Sequence, residues 1–363
     1  MILKEIKTII KILIAFYKEK KMKIIVDGFG GDNAPLEIVK GIALALDKYK
    51  DLSIVVTGDE NAIKALIQEY KIDKNRIEVI HTTEIISNNE SPTEAIRSKK
   101  DSSLVVALEI LKKEDEVIGL VSAGSTGAVL TGAFMKLGRM KGVSRPALAP
   151  TLPTKNGKQV VLIDCGANMD AKPINLCHFA LMGSAYVQHM YGISNPRVAL
   201  LNVGVENEKG NELCHQTFPL LKNLDINFVG NMEARDFLSG DYDVVVSDGF
   251  SGNVLLKSTE GAILLVLSLL KTSIKARKMS KFGALFMRKT FKDIKKNLNY
   301  ENKGGSPFLG AKKIVIKSHG SSMATSIFAS IEQVIDINNK GVYNSIDQAV
   351  ANAGKICDDI EGN

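Results

Sequence analysis

A three-layer α/β/α fold on a mostly parallel, doubly wound sheet is predicted by two observations. Short β-branched runs alternate with helical patterns along the chain, the order that lays helices over both faces of a parallel sheet. Six of these runs end directly in a small-residue or glycine-rich polar turn. IIVD precedes 28–33, GLVS precedes 123–127, VVLID precedes 165–168, ALLNV precedes Gly204, VVVSD precedes 249–253 and IVIKS precedes 319–322. In an open α/β sheet, the loops at the carboxyl ends of the strands gather into one crevice. The helix starts that follow such loops aim backbone N–H groups outward, which suits an anion.

The 363 residues suffice for one large α/β domain or two smaller ones, and 45% apolar residues supply an ordinary globular core. Four cysteines, Cys165, Cys177, Cys214 and Cys357, are scattered without a C-x-x-C pair. That pattern argues against a zinc site or a disulfide framework and suits a reducing compartment. The net charge of +7 is uneven: residues 1–21 carry +4 and residues 271–296 carry +9, leaving −6 for the remainder. A nucleic-acid enzyme would carry its positive charge around the cleft. Two basic segments point instead to a membrane surface or an acidic partner.

Residues 1–21 place Ile2, Ile6, Ile9, Leu13 and Phe16 at helical spacing, with Lys4, Lys7, Lys11 and Lys18 on another face. The uncharged run 12–17 is far shorter than the ~20 residues that span a bilayer. The expectation is a basic interfacial helix or a dispensable extension, since Met22 could also start the protein. No small-residue cleavage site marks a signal peptide. Strands are predicted at 23–27, 53–57, 76–80, 117–122, 159–164, 197–203, 243–247 and 312–317. Helices are predicted after Pro35, at 61–70, 104–111, 173–191 and 209–221, and from SHGSS to about 337. The turn GFGGDNAP is not a dinucleotide fingerprint, because Asn33 stands where the third glycine belongs; AGSTGA lacks the Lys-Ser/Thr of a Walker A loop. ALAPTLPT (147–154) reads as an ordered loop. Residues 262–270 are almost wholly apolar, and the basic stretch after them reads as two helices around a tip near 281–285. The resulting division is an extension at 1–21, an α/β domain at 22–338 with a helical membrane-facing or dimer insertion at 262–300, and a tail at 339–363 holding one short helix.

Nine stretches, VDGFGGDNAP, SPTEAIRSKKDSS, VSAGSTGA, RPALAPTLPT, DCGANMDAKP, NVGVENEKGNEL, FVGNMEARD, VSDGFSGNVLLKSTEG and KSHGSS, follow in an order that resembles the PlsX family of phosphate acyltransferases. They cover nearly everything from Met22 to about Ile331; each alone is weak, and nine in order are specific. The resemblance implies transfer of a long-chain acyl group from acyl-carrier protein to inorganic phosphate, on a fold related to phosphotransacetylases and isocitrate-type dehydrogenases. It further implies a homodimer, no metal or organic cofactor, peripheral attachment to the inner face of the cell membrane, and a downstream glycerol-3-phosphate acyltransferase as partner in phospholipid synthesis. Gly28-Phe29, Ser125 and Cys165 depart from the usual family residues, and residues 1–21 have no family counterpart. None of these departures removes a charged group.

The chemistry needs no strong base, because a thiolate of pKa ~8.5 is a good leaving group. Holding phosphate against the carbonyl and stabilising the oxyanion suffice. Lys209, in NVGVENEKGN, is the first choice for a phosphate or oxyanion contact; the alternative is a surface lysine at a helix start. His319 could donate to the oxyanion or protonate the thiolate; the alternative is a hydrogen-bonded structural histidine. The crevice loops supply the candidate substrate contacts Gly30, Gly31, Asp32, Asn33, Ser122, Gly124, Ser125, Thr126, Asn168, Asp248, Gly249, Gly252 and Asn253, with Lys99, Lys100 and Arg145 as added cations. Asp27, Asp164 and Asp248 read as loop organisers accepting N–H bonds, or at most one of them as a base, since carboxylates repel phosphate. Phe282, Leu285 and Phe286 are the candidate membrane contacts. A short-chain phosphotransacetylase using coenzyme A thioesters, or a non-catalytic acyl- or membrane-binding regulator, are the competing functions. The apolar residues of 262–291 favour a lipid substrate over the first, and six intact polar loops argue against the second.

Overall fold

Met22–Asp27 (β1) shows why the strands read as unbroken apolar runs: Ile24 and Val26 enter one core and Ile25 another, on opposite faces of the sheet. The computed structural model describes residues 22–298 and 304–353. The extension at 1–21 and the last part of the tail, 354–363, therefore lie outside the described residues. β1 pairs in parallel with Leu52–Gly58 (β2) on one side and Val117–Ser122 (β4) on the other. Ile77–His81 (β3) extends the sheet beyond β2, and Ile314–Lys317 (β12) lies beside β4. A second sheet is built on Gln159–Ile163 (β7), Val198–Asn202 (β8), Phe228–Glu233 (β9) and Val244–Val246 (β10), all parallel in the order β7-β10-β8-β9.

The segment read as the loop ALAPTLPT corrects that expectation. Ala147–Leu148 (β5) pairs antiparallel with Ser306–Leu309 (β11) at the edge of the first sheet, while Thr151–Pro153 (β6) pairs antiparallel with β7 at the edge of the second. Seven residues thus join the two sheets, and Pro150 separates the pairs. Two prolines and the shortness of the two pairings, two and three residues, hide the strand character locally. The partner Phe308 lies some 160 positions away in sequence from Leu148, which no local pattern reveals. Strands β9 and β11 were likewise absent from the sequence reading.

One face of the sheets is covered by Leu36–Lys48 (α1), Pro173–Tyr191 (α6), Ala324–Asn339 (α11) and Val342–Asn352 (α12), whose apolar residues share one core. The short tail helix α12 contributes Val342, Ile346 and Val350 to that core. The other face is covered by Ser103–Lys113 (α4), Thr126–Gly132 (α5) and the start of Gly249–Ala276 (α8). Three smaller helices, Glu60–Glu69 (α2), Pro92–Ser98 (α3) and Glu212–Asn223 (α7), complete the layers. Asp59, Ser102, Asn211 and Asp248 cap α2, α4, α7 and α8 through side-chain oxygens, each meeting one of the unpaired N–H groups of a first turn.

Two helical expectations are corrected. The helix predicted at 209–221 begins only at Glu212, because Asn211 caps it; Lys209 lies in the preceding loop. The basic stretch after 270 is not two helices about a tip at 281–285. α8 continues unbroken to Ala276, and Lys278–Phe286 (α9) and Arg288–Leu298 (α10) follow, with breaks at Arg277 and Met287. At ~1.5 Å per residue, the 28 residues of α8 run about 40 Å. Its first turns pack on the sheet, whereas Leu264, Leu265, Val266 and Leu269 are exposed.

Candidate active site

The carboxyl ends of β1, β4 and β12 are neighbours, so three of the polar loops meet there. Asp27, fully buried at the end of β1, accepts the Ser122 hydroxyl at 2.7 Å and the Phe29 N–H at 3.4 Å. Burial raises its pKa against these hydrogen bonds. Ser122 in turn accepts the Gly124 N–H at 3.1 Å. Gly30 lies so close that an added Cβ would stand 2.6 Å from Asp27 Oδ2 and 2.7 Å from the Gly124 nitrogen. The third loop is tied in by the Asp32 N–H, which donates to the Gly320 carbonyl at 2.8 Å, and by Asn33 Nδ2, which donates to the Ser321 carbonyl at 3.1 Å.

The second sheet builds the facing wall around Asp164. Its carboxylate accepts the N–H groups of Leu148 (2.8 Å), Cys165 (2.8 Å), Ala167 (3.1 Å) and Asn168 (2.6 Å), and the Asn168 amide at 3.0 Å. Burial pushes this carboxyl's pKa up while the donors pull it down. Asn168 also donates to the Pro146 carbonyl at 2.9 Å, and its own carbonyl accepts the Gly249 N–H at 2.8 Å. The Ser247 hydroxyl donates to the Asp164 carbonyl at 2.9 Å. Gly252 packs into this knot; a Cβ there would stand 2.0 Å from the Asp164 carbonyl oxygen. Asp248 caps α8 through the Ser251 N–H at 2.9 Å, so the helix starts at the wall.

Between the walls lies a cavity of ≈ 130 Å³. The first sheet and its loops contribute Thr126, Lys317, His319 and Ser322. The second contributes Cys165 and, from α8, Asn253, Leu256, Lys257 and Glu260. The joining segment supplies Leu148, Pro150 and Thr151. Gly304, Gly305, Ser306, Tyr191 and Gln333 close it. It is smaller than the ~300–1,000 Å³ pockets that engulf drug-sized ligands, and its scale suits an oxyanion rather than a whole acyl chain. Lys257 pairs with Glu260 at 2.8 Å. Lys317, only 7% exposed, has its pKa pushed down to about 8 by burial and by the Lys257 charge. Among the described residues, Ser322 Oγ and Gln333 Oε1 are buried without hydrogen-bond partners, at roughly 1–3 kcal/mol each.

His319 Nδ1 accepts the Ser321 N–H at 3.2 Å and lies 2.8 Å from the Ser321 hydroxyl. An accepting Nδ1 places the neutral ring's proton on Nε2, a donor suited to an oxyanion or a leaving thiolate. The Cys165 thiol lines the cavity, but burial, with the Asp164 charge adding to it, holds its pKa well above the ordinary thiol range. That opposes thiolate formation and a covalent acyl-enzyme. His178 is structural: it bonds Ser144, and burial lowers its pKa to about 4.

Of the residues singled out from sequence, Thr126, Asn253 and His319 line this cavity. Gly30, Gly31, Asp32, Asn33, Ser122, Gly124, Asn168, Asp248, Gly249 and Gly252 shape the loops behind it, and the Asn168 and Ser122 side chains are spent on Asp164 and Asp27. Ser125 precedes the first turn of α5. Lys99 is held by Glu90 at 2.7 Å and by the Ile85 carbonyl at 2.7 Å; Lys100 and Arg145 are exposed outside the cavity lining. Lys209 is exposed on the loop after β8, where its carbonyl accepts the Asn202 amide at 2.9 Å, and it does not line the cavity. Lys317, Lys257, Glu260, Ser322 and Gln333 were not anticipated. A lysine closing the apolar strand IVIK directly before Ser-His-Gly was the available clue, since a strand end buried on both faces has little use for a charge. Among the described residues, no group of three His, Cys, Asp or Glu side chains is placed to hold a metal ion.

A family model described as "Fatty acid synthesis protein" matches residues 22–345. The phosphate acyltransferase of Thermoanaerobacterium thermosaccharolyticum is 47% identical over 339 residues, covering 93% of this chain and 99% of that relative. The phosphate acyltransferase of Clostridium tetani is 46% identical over 331 residues, covering 91% and 98%. Among solved structures, a phosphotransacetylase from Streptococcus pyogenes aligns with a TM-score of 0.58 at 17% identity over 94% of this chain and 99% of its own. A branched-chain phosphotransacylase from Enterococcus faecalis aligns at 0.54 and 16% over 87% and 98%. At these identities the structural likeness speaks to the fold alone, and it agrees with the three-layer α/β/α architecture.

Proposed function

This chain belongs to the fatty acid synthesis protein family of phosphate acyltransferases, and from that premise we propose that it moves a long-chain acyl group from the thioester of acyl-carrier protein to inorganic phosphate. One observation carries the finer reading: α8 begins in the wall of an anion-sized cavity and runs without a break into an exposed apolar stretch. A polar reaction centre and a lipid-compatible surface thus share one helix. A phosphate oxygen attacks the thioester carbonyl carbon, the C–S bond breaks, and the thiolate leaves. The cavity's lysines favour the anions on this path, and His319 Nε2–H is the donor for the oxyanion or the departing sulfur. Free carrier-protein thiol should therefore appear from C14–C18 acyl-carrier protein only when phosphate is present. Thiol release without phosphate, or turnover confined to short coenzyme A thioesters, would overturn the acyl-donor assignment.

The same reading places the protein as a homodimer on the inner face of the cell membrane, delivering a poorly soluble acyl phosphate to a downstream glycerol-3-phosphate acyltransferase. By length and composition α8 could cross a bilayer. Its uncharged run, 261–270, is only half the ~20 residues needed, and its first turns are committed to the cavity. Contact along the surface is the better fit. On α9, Phe282, Leu285 and Phe286 are 62%, 64% and 76% exposed, and the two rings stack edge to face at 5.2 Å. Basic residues surround them, each worth ~1 kcal/mol near an anionic surface. Wild type should float with anionic liposomes and less with neutral ones, and a Phe282→Glu, Leu285→Glu, Phe286→Glu variant should lose flotation while remaining dimeric. A variant that floats like wild type would exclude α9 as the anchor. Loss of flotation only in a chain starting at Met22 would move the anchor to residues 1–21.

A further inference from the structure

Lys317 makes a demand that the described protein groups do not meet. It is the last residue of β12, its side chain is buried, and it lines the cavity. Its Nζ donates to the carbonyl of the adjacent Ser318, a neutral acceptor, and it forms no ion pair with a carboxylate among the described residues. Lys257 faces the same cavity from α8 and repels it, while Glu260 pairs with Lys257 at 2.8 Å rather than with Lys317. Asp27 and Asp32 attract it from beyond pairing distance. On the same lining, the buried Ser322 hydroxyl, 3% exposed, has no hydrogen-bond partner among the described residues. A buried ammonium without a counter-charge is unfavourable unless an anion arrives to meet it.

We infer that Lys317 is the phosphate-binding cation of the transfer reaction, its Nζ holding a non-attacking oxygen of inorganic phosphate, with the Ser322 hydroxyl as a neighbouring donor. This rests on the phosphate acyltransferase reading of the cavity. Lys317 keeps its proton throughout; the attacking phosphate oxygen forms the bond to carbon and the thiolate carries off the electron pair of the C–S bond. Burial and Lys257 bring the free enzyme's Lys317 pKa to about 8, with Asp27 and Asp32 opposing. Glu260, His319, Cys165 and Tyr191 are the other titratable groups lining the cavity. The charged form therefore prevails below that pH and is lost above it, so phosphate affinity should fall as pH rises through 8.

The test is steady-state kinetics with phosphate and the acyl thioester varied separately. Lys317→Met should raise KM for phosphate at least about tenfold, the scale of one charged hydrogen bond, with KM for the thioester unchanged. In wild type, KM for phosphate should climb above pH 8; in Lys317→Arg it should stay flat, since guanidinium remains charged. A methionine variant with wild-type KM for phosphate overturns the assignment. If the variants do not fold, wild type still decides: inorganic phosphate should raise the melting temperature less at pH 9.5 than at pH 7.5, and equal stabilisation overturns the proposal. Absence of any phosphate-dependent thiol release by wild type would instead remove the functional reading beneath it.

Discussion

Asp164→Ala is expected to destabilise the protein by about 4 kcal/mol or more, the largest single effect foreseen outside the chemistry. Four backbone N–H groups and the Asn168 amide converge on this carboxylate. Alanine leaves the Leu148, Ala167 and Asn168 donors without that acceptor, while the Cys165 N–H keeps the Leu148 carbonyl at 3.2 Å; each lost partner costs roughly 1–3 kcal/mol before relaxation and water entry reduce the sum. One donor belongs to Leu148 in the segment joining the sheets, and Asn168 holds Gly249 at the start of α8. The loss should therefore open the cavity wall as well as lower the urea midpoint. Asp164→Asn retains one acceptor oxygen and should fall between the two. An alanine variant within about 1 kcal/mol of wild type in urea titration would mean that water replaces the carboxylate, and that the wall does not depend on it.

Lys209→Ala should lower turnover at least about 100-fold, the scale of removing one oxyanion or phosphate donor, while the melting temperature barely moves. The stability half follows from exposure: the side chain is solvent-facing, and the loop is held through the Lys209 carbonyl, which alanine keeps. The activity half rests on its place at the carboxyl end of β8, in the sheet whose β7 and β10 loops wall the cavity. Because Lys209 does not line the cavity, a full effect on turnover would mean that the loop after β8 closes over bound substrate. Near-normal activity would leave Lys209 as a surface lysine. With Lys317, the pair separates two roles: Lys317→Met should act on KM for phosphate, and Lys209→Ala on turnover.

The alternation of strands and helices, the six polar loops at strand ends, and the convergence of several of them on one cleft were legible in the chain. Each depends on neighbours a few residues apart: β-branched runs favour strands, and a small-residue turn ends them. His319, Asn253 and Thr126 could be placed at the cleft for that reason. Tertiary structure alone decided the rest. β5 and β6 are strands only because β11 and β7 offer edges to pair with, and an Ala-Leu pair or a Thr-Leu-Pro triplet carries no such preference itself. Gly249–Ala276 is one helix because nothing in its interior breaks it, yet whether its apolar residues are covered depends on what packs against it. Lys209 and Lys317 are the same amino acid beside glycine-containing loops. One is exposed and the other buried, because β12 lies inside the first sheet between β4 and β11 while the loop after β8 projects into solvent. Burial sets the cost of a charge, and burial is made by residues far away in sequence.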